Sequence, residues 1–156
     1  MATSSLTDLF ATIAGEAGRE SPVWRDALRP EDERDREPVF SLVCDERFAL
    51  GLETIYEGYL LHYGRPRLFA PPDEDTALLL GDYLYAHGLV RIADTGDVEA
   101  VSVLAELISE CAALRADGRE GDGEAWARAA TRLCGSEPLS RATAEHALAL
   151  HDARLG

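Results

Sequence analysis

Apolar residues recur every three or four positions along most of this chain, and turn residues cut the pattern into separate segments. Leu6, Leu9, Phe10 and Ile13 share one face of a first helix that Ser5 can cap and that Gly15 to Gly18 close. Ser21-Pro22 sets a cap before a proline suited to the first helical turn, opening a short helix with Val23, Trp24 and Leu28. The longest run, Val39 to Tyr63, carries Phe40, Val43, Cys44, Phe48, Leu52, Ile55, Tyr59 and Leu60 at helical spacing and stops at Gly64-Arg65-Pro66. After two prolines, Asp73, Glu74 and Asp75 read as a helix start, because carboxylates there meet the positive end of the helix dipole. The same trio could be read as a metal cluster, and capping is the simpler account. From Ala77 to Ala93 this helix is apolar nearly all round, which predicts a central position.

Gly96 ends that helix, Asp97 caps the next, and Val98, Val101, Leu104, Ala105, Ile108, Cys111 and Ala112 mark its buried stripe up to Asp117-Gly118. Two shorter helices follow, around Ala125 to Leu133 and around Arg141 to Leu155, the second with Ser140 as cap. No β-alternation and no repeat stands out. The expectation is an all-α, compact bundle of about six to seven helices. It forms one domain over 1–156: N-terminal helices and a charged connector in 1–38, core helices in 39–116, and short helices in 117–156. The connector, Arg29 to Pro38, is charged at eight of ten positions, so it predicts an exposed link or a short solvated helix, with a docking segment as the functional alternative.

A chain of 156 residues fits one domain that buries roughly 70% of its unfolded surface. The formal net charge of -14 sets up a field that repels nucleic acid, anionic membrane and free diphosphates, so no nucleic-acid partner is expected. The N-terminus has no secretory pattern and no window reaches the ~18 to 20 apolar residues of a membrane span, which predicts a cytoplasmic protein. Cys44, Cys111 and Cys134 are odd in number and far apart, as buried reduced thiols would be, rather than a disulfide framework or thiolate metal site.

The common nucleotide-binding, hydrolase and zinc signatures are absent from the sequence. His146 and His151, five apart, do not share a helix face well. Glu53 and Glu57 are the best chemical pair: at i, i+4 they lie on one face and could share a divalent cation. Without a cation they repel, and a solvated location is the plain alternative.

Gly64-Arg65-Pro66, then Leu79-Leu80-Gly81-Asp82-Tyr83-Leu84, then Gly96-Asp97 and the helix VEAVSVLAELISECAAL occur in an order that resembles the trans-polyprenyl diphosphate synthases. The resemblance covers about Leu52 to Leu114, and its GDYL element is the most specific part. It implies an isoprenoid-synthase-like fold, here truncated. Anchored on Gly64-Arg65-Pro66, it sets Glu53, Thr54 and Glu57 where the family carries the DDxxD aspartates that hold magnesium, and His62 and Tyr63 where the family carries diphosphate-gripping arginines. Forked guanidinium donors are not replaced by an imidazole and a phenol, so the leaving diphosphate would go unstabilised. The helix ending ISECAALRADG lacks the expected Gly-x-Glu-x-x-Gln, and no second aspartate motif follows.

The resemblance therefore implies the small non-catalytic subunit of a two-component hexaprenyl or heptaprenyl diphosphate synthase, supporting the activity and product length of a catalytic partner, with a menaquinone side-chain role. In that reading no catalytic residue and no metal belongs to this chain. Magnesium sits in the partner, Glu53 and Glu57 are only weak metal candidates, and Tyr83, Leu84 and His87 could form part of a product-tunnel wall. The alternatives are a stand-alone helical interaction module or homodimer without prenyl chemistry, and an active short isoprenoid enzyme using Glu53 and Glu57 with magnesium.

Overall fold

The structure, a computed structural model, describes residues 2–134 and 141–155, with side chains from Leu9 onward. Seven helices lie among these residues: α1 (Ala2–Glu20), α2 (Pro22–Ala27), α3 (Ala49–Tyr63), α4 (Glu74–Ala93), α5 (Val98–Ala116), α6 (Asp122–Arg132) and α7 (Arg141–Leu155). Three 3-10 turns, Glu31–Glu33, Phe40–Leu42 and Glu46–Phe48, join α2 to α3. No strand occurs among the described residues, and a lone antiparallel bridge links Leu28 to Phe69.

Local chemistry explains most helix ends. Ser21 accepts from Val23 N at 3.1 Å, Asp73 from Thr76 N at 2.8 Å and Asp97 from Ala100 N at 2.9 Å, so these three of the caps expected from the sequence form. Glu74 and Asp75 occupy the first turn of α4. Ser5 is not the first cap, since α1 begins at Ala2 and runs on through Gly15 and Gly18 to Glu20. The expected cap Ser140 lies outside the described residues.

The central helix is α3, not α4. Every residue from Gly51 to Leu61 is buried. One core, containing Phe40, Tyr56, Leu104 and Trp126, covers one side of α3; a second, containing Phe10, Ile13, Phe69 and Leu84, covers the other. Helix α4 instead keeps an open face, with Leu78 48%, Leu79 62% and Val90 57% exposed. Its apolar circumference reflects an uncovered side rather than burial all round.

Helices α3 and α4 run antiparallel and touch backbone to backbone. A Cβ at Gly58 would stand 2.8 Å from Gly81 O and one at Gly81 3.1 Å from Gly58 O; Gly51 and Gly88 face each other in the same way, at 3.2 and 3.0 Å. Only glycine allows this approach. Seven residues separate the two glycines on each helix, two helical turns, so both pairs fall on one seam.

The expected single helix over Val39 to Tyr63 is corrected to α3 alone, preceded by two 3-10 turns. The apolar positions there, Val39, Phe40, Val43, Cys44 and Phe48, fall at intervals of one, three and four, which does not separate a 3-10 turn from an α-helix. The backbone N–H groups of Val39 and Ser41 are taken by a carboxylate of α3 instead of by a helix ladder. The connector Arg29 to Pro38 is mostly exposed, with one 3-10 turn, and it is tied to the body by Arg29 N to Leu68 O at 2.9 Å and Asp35 N to Arg67 O at 3.1 Å.

Candidate functional site

Glu53 and Glu57 project from the same face of α3, and neither is solvated: both are fully buried. The guanidinium of Arg67, also buried, lies between them. Its Nη1 donates to Glu53 Oε2 at 2.6 Å and its Nε to Glu57 Oε1 at 2.9 Å. The other carboxylate oxygens accept backbone donors: Glu53 Oε1 from Val39 N at 3.0 Å and Ser41 N at 3.2 Å, and Glu57 Oε2 from Leu68 N at 2.8 Å. Arg67 also donates from Nη1 to Glu37 O at 2.9 Å and from Nη2 to Glu53 O at 3.3 Å. The rings of Phe10 and Tyr56 cover the guanidinium, with centroids 4.8 and 5.2 Å from Cζ.

Burial opposes the charge on Arg67, but the Glu53 and Glu57 carboxylates outweigh it and hold the guanidinium protonated above its usual range. The guanidinium and three backbone N–H groups together supply a donor to every carboxylate oxygen. A magnesium ion needs several oxygens and usually retained water. Here each carboxylate oxygen has a protein partner and both side chains are sealed, so these residues do not fit that ion. The geometry joins three chain segments, 37–41, α3 and 67–68. Thr54, also buried, donates its hydroxyl to Leu50 O at 2.6 Å and takes no part in the triad.

His62 and Tyr63, at the end of α3, face elsewhere. The His62 ring stacks on Tyr85 at 5.1 Å, and its Nε2 lies 3.1 Å from Asp82 Oδ1 without hydrogen-bond alignment. The guanidinium of Arg115 lies 4.8 Å over the Tyr63 ring. Tyr83, Leu84 and His87 pack towards α1 and α2. Tyr83 stacks on His87 and contacts Trp24, and Leu84 is buried in the second core. His87 Nε2 and Arg91 both meet Glu16 Oε2; the His87 bond and the Arg91 charge outweigh partial burial and hold the Glu16 carboxyl below its ordinary range.

A second polar cluster joins α3 to α6 and α7. Tyr59 donates to Asp122 Oδ2 at 2.5 Å, and Arg115 Nε donates to the same oxygen at 2.7 Å. Tyr56 Oη lies 2.8 Å from His151 Nδ1. Burial pushes the His151 imidazole below its ordinary value, so the ring is neutral at pH 7. Asp122 and His151 line one wall of a groove of about 650 Å³ between the end of α5 and α7.

Periodicity does not flag this cluster, since its members come from four distant segments. Burial pushes the thiols of Cys44 and Cys111 up to about 12 and also raises Cys134; all three are free, Cys111 fully buried and the other two half-buried.

Among the described residues no group of three or more His, Cys, Asp or Glu is placed to hold a metal ion, and no helix is long and apolar enough to cross a membrane. The chain matches no family model, no curated protein and no solved structure.

Proposed function

We propose that this chain is a non-catalytic partner of a long-chain polyprenyl diphosphate synthase, supporting the activity and product length of a catalytic subunit that supplies the magnesium. The observation that carries the reading is the Glu53–Arg67–Glu57 triad. At the position where the synthases resembled here hold metal ions, this chain places its own cation and closes it off from solvent. The motif order and the packing role of Gly81 fit a retained helical frame from which the diphosphate chemistry is gone. The open face of α4, with Leu78, Leu79 and Val90, offers apolar area to a partner.

Co-expression with a full-length polyprenyl diphosphate synthase encoded in the same genome tests the reading. The expected result is co-purification and a change in prenyl-transfer rate or product length when this chain is added. No association together with no change in rate or product rejects it. The same exposed α4 residues favour a second reading, a homodimer without prenyl chemistry, which predicts a two-chain mass in sedimentation and no binding to the synthase.

A further inference from the structure

The groove between α1, α2 and the charged connector departs from the charge of the rest of the molecule. The chain has 15 basic residues, every one an arginine, against 29 carboxylates. Four of those arginines, Arg19, Arg25, Arg34 and Arg36, line one groove of about 390 Å³ whose single carboxylate is Glu31. Its floor is apolar, built on the buried Phe10 and Leu68 and the half-buried Leu28.

These guanidinium groups are largely uncommitted. Arg36 meets Glu31 at 3.5 Å, but both side chains are open to water, at 37% and 80%, and such a pair holds weakly. Arg34 spends its Nε on Arg29 O at 2.9 Å and keeps both terminal nitrogens. Among the described residues, Arg19 and Arg25 have no carboxylate within 4.0 Å. Arg19 lies back across α1, its Nη1 3.3 Å from where a Cβ on Gly15 would stand, so that glycine leaves room for the head group at the groove wall.

We propose that this groove binds a small phosphate-bearing molecule, its phosphate held between Arg19, Arg25 and the terminal nitrogens of Arg34, and its organic part lying over the apolar floor. Planar, forked donors match phosphate oxygens, and a volume of this order suits a small ligand. The net charge of -14 limits the ligand's size rather than excluding it. At physiological salt, charges beyond about 8 Å are screened, so a compact anion feels mainly the local arginines, whereas a long polyanion would also meet the acidic remainder. The proposal is independent of the synthase reading.

Calorimetric titration of the full chain at physiological ionic strength tests it, with inorganic pyrophosphate and monomeric octyl phosphate as probes. Both should bind saturably, octyl phosphate more tightly. The double variant Arg19→Gln, Arg25→Gln should weaken binding roughly ten- to a hundredfold with an unchanged melting temperature. A control pair on α6, Arg128→Gln with Arg132→Gln, should bind like the parent. Absence of saturable binding, a control pair that loses affinity equally, or octyl phosphate weaker than pyrophosphate overturns the proposal. So does binding to phosphatidic-acid vesicles with none to the monomeric probes, which would assign a lipid surface instead.

Discussion

At the residue scale, Arg67 decides how the buried acids of α3 are tolerated. Two carboxylates four residues apart in a dry interior repel each other, and the guanidinium between them turns that repulsion into two charge-assisted hydrogen bonds. Arg67→Met should therefore cost about 3–5 kcal/mol or prevent folding, because it leaves two uncompensated buried charges. Glu53→Gln should cost about 1–3 kcal/mol, since the amide cannot reproduce the full acceptor set met by Val39, Ser41 and Arg67. Denaturant unfolding monitored at the tryptophans measures both. Millimolar magnesium should leave the melting temperature of the isolated chain unchanged; a stabilisation that Glu57→Gln abolishes would overturn the sealed-triad account. The pairing of Glu53 with Glu57 on one face was legible in the sequence. Their partner was not, because Arg67 lies beyond a turn, and nothing in the sequence pattern marks a charged residue as fully buried.

At the element scale, the backbone contact of α3 with α4 rests on four glycines. A Cβ at Gly88 would meet Ile55 Cγ1 at 2.4 Å and Gly51 O at 3.0 Å, and backbone cannot move aside as a flexible side chain can. Gly88→Ala should thus destabilise by about 1–3 kcal/mol even though alanine has the better helix propensity, and Gly96→Ala is a useful contrast. Nothing lies within 4 Å of the Gly96 Cβ position, so its penalty comes from a φ of +83° alone. Thermal melts of the two variants separate steric from conformational cost. The seven-residue glycine spacing on each helix was a readable signal for this seam. Capping chemistry also made the starts of α2, α4 and α5 legible, because a cap is a local interaction. The segment ahead of α3 was less so: Val39, Phe40, Val43 and Phe48 are all buried as expected, but apolar positions over so short a stretch do not distinguish a 3-10 turn from an α-helix.

At the scale of the whole molecule, the all-α class was written in the periodicity, whereas which helix sits at the centre was not. Apolar content does not separate α3 from α4, since three residues in five are apolar in each; burial depends on what the neighbours cover, and they cover α3. His151 and Glu16 shape the pH response. His151 is neutral in the fold, with its pKa lowered by burial, so the unfolded chain binds the extra proton first. The stability this contributes is complete above the unfolded value of about 6.5 and declines as pH falls towards the lowered folded value. Melting curves from pH 8 to 5 should show the parent losing stability relative to His151→Gln, which does not titrate there. Equal slopes would remove His151 as the cause. At lower pH Glu16 acts in the same direction, because its carboxyl is depressed in the fold and its contribution fades as it protonates.

The triad also bears on redesign. A chain that meets its own acids with a permanent internal cation cannot be converted to metal binding one substitution at a time. Removing Arg67 first strands two carboxylates in the core, and Thr54→Asp first adds a third negative group beside them while losing the hydroxyl bond to Leu50 O. Each single step passes through a poorly folded intermediate. An engineer seeking a divalent site on this scaffold would do better to build it elsewhere.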